Sequence, residues 1–477
     1  MRLKTSVIIL SVASMWLFSA GVQAKTCRSA RKFDDKHIVL SIGAISDTHI
    51  DGRTANSAKF RNALRQLNAK AAEQDGNGLD GVMVVGDIID NGMNKKQIRV
   101  FKNDYEAVLD PVKVPMIYTV GNHDPGTRYR WYPDTPAKTK FIRDTLGTDY
   151  FRTDLEDGMR NKYECRHCVI GGYHILSVTP DGASPVTYPD TVVKWLDARL
   201  KMITKEDPGK YVIVITHPMI YDTVYGSLLG TTDSSPWKSS LKWYWSTKAL
   251  TGVLDKYPQA VTFSGHLHFP LNDPRSIWQG KFTALGCGSV SYASIEPGDY
   301  EEMPSSCVPK DARKFSQGLL VQFDAKGNMR VTRMDFYNNA AIGKPWIIPH
   351  PVKNRSNLKV YMTERRKAAD KAPVLGNITV IQTDIAGKGK SVSVTFASGI
   401  DDEFVHHYVL TLKEGDKVVA VRNILSDFYL HPQPSEMKTS WTRTLGILAS
   451  GTYTVSLAAY DSWDKKSNVV TSNFTVL

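Results

Sequence analysis

The chain has 477 residues and a mass of 53.2 kDa, enough for two or three domains and too long for one small module. With 42% hydrophobic, 23% charged and 10% aromatic residues and a mean hydropathy of −0.28, the composition excludes both a polytopic membrane protein and extensive disorder. A formal net charge of +12 favours anionic partners, whether nucleic acid, a polyanionic cell envelope or phosphorylated small molecules, and charge alone does not separate these.

The first element is an N-terminal apolar run. Arg2 and Lys4 precede Val7 to Phe18, and those 12 residues are too few to cross about 30 Å of hydrocarbon as a helix. Val22-Gln23-Ala24 fits a cleavage site, so residues 1–24 read as a signal peptide rather than an anchor helix. The mature chain would then start at Lys25 with a charge of +10, carry no transmembrane segment, and be secreted or periplasmic. All five cysteines (Cys27, Cys165, Cys168, Cys287, Cys307) lie beyond the cut, which predicts disulfides and one thiol left over. Cys165-Arg166-His167-Cys168 resembles half a zinc site, but no second CxxC completes it.

From Ile38 to about Phe269, short apolar runs alternate with amphipathic stretches, the pattern of a layered α/β domain. The runs Ile38–Ile45, Val82–Val85, Met116–Val120, Tyr211–Thr216 and Ala260–Phe263 predict strands, as do Phe282–Leu285 and Leu319–Phe323 further on. Helical spacing of Phe60, Ala63, Leu64, Leu67 and Ala71, of Ile98, Phe101 and Tyr105, and of Val193, Leu196 and Leu200 predicts flanking helices. Residues 351–372 are rich in Lys and Arg and bounded by prolines, which predicts a solvated basic linker. Beyond Pro373 the period changes to two, as in Val392, Val394 and Phe396 or Tyr453, Val455 and Leu457. Residues 373–477 therefore read as an all-β sandwich, and Gly451 to Asp461 resembles a late strand of fibronectin type III-like domains.

The chemistry sits where the apolar runs end: Asp47-Thr48-His49, Gly86-Asp87, Gly121-Asn122-His123-Asp124, Thr216-His217 and Gly265-His266-Leu267-His268. Ligands of α/β sheets gather at the carboxyl ends of strands, so these five segments converge on one crevice. They offer carboxylate, imidazole and carboxamide donors, a mixed nitrogen and oxygen set suited to Zn, Fe or Mn. Alternate residues leaving a strand point to one side, which lets Asp47 and His49 share a site, and likewise His266 and His268.

In this order and spacing, the motifs closely resemble the calcineurin-like metallophosphoesterase family over about residues 38–340. The resemblance implies a β-sandwich flanked by helices over residues 25–350, and two divalent or trivalent metal ions (Mn, Fe or Zn). It places Asp47, His49, Asp87 and His268 on one ion and Asp87, Asn122, His217 and His266 on the other, with Asp87 as the bridge. It implies hydrolysis of a phosphoester by metal-activated water, with His123 protonating the leaving oxygen and Asp124 orienting His123. The branch with an iron-binding tyrosine is disfavoured, since Asp87 is followed by Ile88-Ile89-Asp90. Arg128 and Arg130 are candidate phosphate contacts. Tyr221, Tyr225, Trp237, Trp243, Tyr244 and Trp245 make either a substrate wall or ordinary packing.

The expected activity is an exported phosphomonoesterase or phosphodiesterase, leaning to diesters. Two rivals accompany it: an extracellular nuclease or nucleotidase, and a non-catalytic envelope-binding protein.

Overall fold

The computed structural model describes residues 33–92, 94–125, 142–147, 154–155, 163–180, 186–228, 246–303, 307–350 and 358–477. The first domain opens with β1 (Ile38–Ile45), α1 (Thr54–Asp75), β2 (Gly81–Val85), α2 (Lys95–Glu106) and β3 (Met116–Thr119). Next come β4 (Asp154–Leu155), β5 (Arg166–Ile170), β6 (Tyr173–Ser177), α3 (Asp190–Glu206), β7 (Val212–Ile215), β8 (Met219–Ile220), β9 (Ser246–Thr247) and α4 (Thr251–Leu254). It closes with β10 (Ala260–Ser264), β11 (Ile277–Gln279), β12 (Thr283–Gly286), β13 (Gln317–Asp324), β14 (Met329–Asp335), β15 (Ala340–Ala341) and β16 (Trp346–Ile348).

These strands form two mixed sheets. One has the order β15-β14-β13-β1-β2-β3 with β16 beside β14, and the other β11-β12-β10-β7-β6-β5-β4. Within them β1-β2-β3 run parallel, as do β6-β7-β10-β12, so their carboxyl ends come out together in each sheet. Strands β2, β3, β7 and β10 are buried at every position, which is why β2 and β7 read as near-continuous runs of Val, Ile and Met. Side-chain alternation divides their residues between two cores. Leu40, Ile42, Met83, Ile213, Phe263 and Phe323 fill the space between the sheets. Ile45, Val82 and Val84 face outward onto Phe60, Leu64 and Phe101 of α1 and α2, while Val212 and Val214 meet Leu196 and Leu200 of α3. The result is a sheet sandwich flanked by helices. Among the described residues no helix is long and apolar enough to cross a membrane.

Strands β5 and β6 have no counterpart in the predicted elements, and they show what the Cys165–Cys168 segment is. Arg166 and His167 are 2% and 1% exposed, because Arg166 donates to Glu164 at 2.7 Å and to the Tyr118 hydroxyl at 3.1 Å. Cys165 packs under α3 and Cys168 between the sheets, on opposite faces of the strand layer. They therefore share neither a local disulfide nor one metal ion. Among the described residues no disulfide joins Cys165, Cys168, Cys287 and Cys307 to one another.

Part of the basic linker is ordered. Residues 363–369 form α5 (Thr363–Ala369), and Arg366 donates to the Pro274 carbonyl, lies 3.7 Å from Glu403 and stacks over Trp463 at 5.1 Å. Arg366 thus straps the stretch to both domains, while the other residues of α5 are exposed to solvent.

The C-terminal domain contains β17 (Ile378–Ile385), β18 (Gly389–Ala397), β19 (His407–Glu414), β20 (Lys417–Leu425), β21 (Ser440–Leu448), β22 (Gly451–Tyr460) and β23 (Val470–Val476). Sheets β17-β18-β21 and β20-β19-β22-β23 face each other across Val392, Val394, Phe396, Leu410, Val455 and Leu457, the residues of the period-two pattern. A further core is shared between the domains: Ala293, Ile295 and Phe315 pack with Phe404, Leu425 and Phe428. Around it Arg443 pairs with Glu301 at 2.8 Å, Arg422 pairs with Glu301 at 2.9 Å, and Glu302 accepts the Leu425 amide at 2.8 Å. Residues 33–477 accordingly form one compact unit.

Candidate metal centre

The loops leaving β1, β2, β7 and β10 are tied together just past the strand ends. Asp47 donates its amide to the Gly86 carbonyl at 3.1 Å, His49 to Asp87 at 3.0 Å, and Gly265 to His217 at 3.0 Å. Asp47, His49, Asp87, His266 and His268 hold left-handed backbone, with φ of 55°, 44°, 48°, 72° and 59°. Such angles cost a non-glycine residue free energy and persist where the surroundings over-determine them. Here the sharp turns aim short side chains from separate strands at one point.

Asp87 stands in the middle. Its Oδ1 accepts the His123 amide at 2.8 Å, while its Oδ2 lies 3.6 Å from His49 Nε2 and 3.3 Å from His217 Nε2. His217 Nδ1 donates to the Val85 carbonyl at 2.8 Å, which fixes the tautomer and leaves Nε2 facing the site, 3.2 Å from Asn122 Oδ1. On the other side Asp47 Oδ2 accepts the His266 amide at 3.0 Å. Ligand atoms of Asp47, His49, Asp87 and His268 lie within 4.8 Å of one another, as do those of Asp87, His217 and His266. Asp87 is common to both groups.

These residues fit metal ions. Asp47 Oδ1 is buried and 2.9 Å from His268 Nε2, yet the two are not aligned for a hydrogen bond, so the oxygen has no donor. His49 Nε2 and His268 Nε2 lie 3.2 Å apart, close enough for both nitrogens to bind one ion once they are deprotonated. Without ions the cluster keeps protons instead. Burial pushes the His49 pKa down, but Asp47 and Asp90 outweigh it and raise it to about 10. For His217 burial is outweighed by the Asp87 charge, which raises the pKa to about 9. Burial opposes ionisation of Asp47 and Asp87, and the neighbouring histidines more than reverse it.

A third grouping, His49, Asp90 and His123, brings in a residue the motif reading passed over. His123 Nδ1 donates to the Asp90 carbonyl at 2.9 Å, and Asp90 Oδ1 lies 3.9 Å from the same nitrogen. Asp90 therefore orients the His123 ring. The Asp124 carboxylate does not touch it: it accepts the Gly121 amide at 2.8 Å and the Ile89 amide at 3.1 Å. Asp124 is buried under the loop that carries Asn122 and His123, and burial, then the Asp87 charge, raises its pKa to about 7. Its hold on His123 runs through the backbone. The available sign for Asp90 was a carboxylate three residues beyond Asp87 on the same loop. Tyr292, whose ring lies 4.2 Å from that of His268, carries no motif at all.

Arg128 and Arg130 lie outside the described residues, as do Trp237, Trp243, Tyr244 and Trp245. Tyr225 is packing rather than a substrate wall: it is 5% exposed, its ring lies tilted against that of Phe269 at 4.7 Å, and its hydroxyl donates to Glu296. Tyr221 takes Lys248 over its ring at 3.9 Å.

The calcineurin-like phosphoesterase family profile matches residues 40–270, which span the whole metal centre. Over these residues the chain matches calcineurin-like phosphoesterase domains, and its two flanked sheets are the calcineurin-like fold. Among solved structures the chain is similar to a purple acid phosphatase from yellow lupin (Lupinus luteus) seeds, at 12% identity and a TM-score of 0.42, over 66% of this chain and 54% of that one. It is similar to a hypothetical protein from Pyrococcus horikoshii OT3 at 11% identity and a TM-score of 0.28, over 62% and 87% of the two chains. A PKD domain of an M14-like peptidase from Thermoplasmatales archaeon SCGC AB-540-F20 matches at 16% identity and a TM-score of 0.16, over 22% of this chain and 97% of that domain. No curated protein matches the chain. The likeness of the C-terminal domain to fibronectin type III modules rests on its sequence pattern alone.

Proposed function

We propose that the protein is a hydrolase of phosphomonoesters or phosphodiesters, with a lean to diesters, acting through a dinuclear metal centre. The observation that carries this reading is the Asp87 carboxylate, shared between two groups of buried ligands. Asp47, His49, Asp87 and His268 would hold one ion, and Asp87, Asn122, His217 and His266 the other. Such a pair of ions supplies Lewis acidity to a phosphoryl oxygen and acidifies water.

The chain's own residues do the rest. His123 donates from Nδ1 to the Asp90 carbonyl, so Nε2 is the nitrogen that exchanges a proton with the leaving oxygen. Burial lowers the His123 pKa, and the negative charge of a bound phosphoester favours the protonated ring. Asp124 holds the loop that sets the distance between His123 and Asp87. The reading includes export to an oxidising compartment, supported by the apolar run Val7–Phe18, and intact mass of the recovered protein tests it.

Two substitutions separate the roles. Asp87→Ala removes the shared ligand, so metal content and turnover fall together. His123→Ala keeps its metal and slows turnover by about 10² to 10⁴-fold, less so on aryl phosphates with acidic leaving groups. Metal analysis combined with a leaving-group series on monoesters and diesters checks both. Equal slowing for every leaving group would sink the proton-transfer role.

A further inference from the structure

A cleft of about 590 Å³ opens between the two domains, within the range of about 300 to 1,000 Å³ usual for small-molecule sites. Its walls include Arg333 and Trp346 of the first domain, Arg366 of α5, and Phe404, Phe428 and Met437 of the C-terminal domain, and none of its residues is a candidate metal ligand. Arg333 is 9% exposed, and its guanidinium lies 4.5 Å over the Trp346 ring. Nη1 donates to the Leu271 carbonyl at 3.0 Å and Nη2 to the Lys344 carbonyl at 3.2 Å, while Nε has no partner. Among the described residues no carboxylate forms an ion pair with it.

The acids nearby are engaged elsewhere. Glu403 lies 3.7 Å from Arg366 and accepts the Trp463 indole N–H at 3.0 Å, Asp273 pairs with Arg275 at 2.7 Å, and Asp427 pairs with His431 at 3.0 Å. Lys344 and Asp402 are both exposed at the rim, and their charges offset each other in solvent. The cleft is therefore left with one positive charge in surplus, seated on Arg333. Burial, then the Arg366 charge, lowers the Arg333 pKa to about 10, so the group is still charged at pH 7. A buried charge without a counter-charge is costly unless an ion of opposite sign is supplied. The plain alternative is a structural strut, with Arg333 held by its carbonyls and by Trp346 alone. Those partners soften a cation without neutralising it.

We propose that this interdomain cleft binds a small organic monocarboxylate, with its charge against Arg333 and its apolar body against Phe404, Phe428 and Met437. One surplus positive charge matches one carboxylate, whereas a phosphate dianion would turn the cleft negative. A planar carboxylate also suits the flat guanidinium, whose N–H donors outnumber the carbonyls it already meets. Phe404 and Phe428 stack at 4.6 Å with their planes 16° apart, which gives the ligand's body an aromatic surface. The site does not depend on the phosphoesterase reading, since it shares no residue with the Asp87 cluster.

Thermal unfolding of the full chain, titrated with phenylacetate, indole-3-acetate and hexanoate, tests this. At least one of the three should raise Tm saturably, by about 1 °C or more. Its amide lacks the charge and acetate lacks the body, so neither should match it at equal ionic strength. Arg333→Met removes the cation and Met437→Trp fills the cleft while leaving Arg333 in place, and each should abolish the shift. If Arg333→Met does not fold, Met437→Trp decides alone. A structural strut predicts no saturable shift with any of the three acids. That result, an equal shift from the amide or from acetate, or a shift retained in Met437→Trp, would overturn the proposal.

Discussion

Asp87 is crowded from behind by Gly121, and the crowding has a consequence for metal binding. A Cβ at position 121 would sit 2.2 Å from Asp87 Oδ1 and 2.4 Å from the Asp87 amide, with no flexible side-chain end to yield. Gly121→Ala should therefore displace the shared ligand and weaken metal retention by at least about 10-fold, the scale of lost support around a ligand. Gly252→Ala, where a Cβ meets nothing within 4 Å, serves as the control. Metal content after dialysis against a weak chelator reads both, and retention in Gly121→Ala equal to the control would contradict the crowding argument. The charge state of the centre leads to a second prediction. His49 and His217, with pKa raised to about 10 and about 9, are protonated in the metal-free chain at pH 7. Ions bind neutral imidazole, so loading should expel about two protons, and apparent affinity should fall as pH is lowered. Because both pKa values lie above the unfolded value of about 6.5, their contribution to metal-free stability is full below that pH and lost as pH rises through 9 to 10. Proton release in weak buffer during Mn titration measures the first effect. Thermal unfolding of the stripped protein at pH 7 and pH 10 measures the second. Absence of proton release would mean that the imidazoles are already neutral.

At the scale of elements, β5 owes its place to charge rather than to apolar pattern. Glu164 receives Arg143 at 2.6 Å and Arg166 at 2.7 Å, and Arg166 also stacks over Tyr118 at 4.7 Å. Replacing Glu164 with Gln strands two arginine charges, one of them fully buried, and should cost about 3 to 5 kcal/mol. Denaturant unfolding against the unmodified protein gives that number, and a loss below about 1 kcal/mol would show that Tyr118 and backbone carbonyls carry the guanidinium alone. This pairing also explains what a reader of the sequence sees. Unbroken apolar runs such as Val82–Val85 and Val212–Ile215 declare themselves because both faces are buried. Arg-His-Cys at 166–168 looks like a ligand motif, because its buried partner Glu164 is visible only once the chain is folded. The candidate metal ligands are legible for a different reason, since each follows a legible strand. Asp90 and Tyr292 approach the same point through turns whose course no local pattern records. Arg366 likewise reads as one charge among many in a basic stretch until its carbonyl and aromatic partners appear across two domains.

For the whole molecule, the shared core around Phe315, Leu425 and Phe428 makes the two domains thermodynamically one. Calorimetry should show a single cooperative transition with matching calorimetric and van't Hoff enthalpies. Two resolved peaks would mean that the interdomain core contributes little. A chain ended near Lys353 would bare Ile295 and Phe315, so its instability is expected even though no catalytic motif lies beyond His268.

The segment from Ser289 to Glu302 joins these scales. At one end the Val290 amide donates to the Ser46 carbonyl and the Ser294 amide to the His268 carbonyl, within the candidate metal centre. At the other, Glu296 lies 3.2 Å from His406, and Glu301 and Glu302 take Arg422, Arg443 and the Leu425 amide. Tyr292, in between, lies 4.2 Å from the His268 ring and packs against the core that the two domains share. In evolutionary terms this forbids free shuffling. A recombinant that inherited the first domain with a foreign C-terminal module would inherit a loosened wall at its candidate metal centre, so the two halves are bound to diverge as a pair.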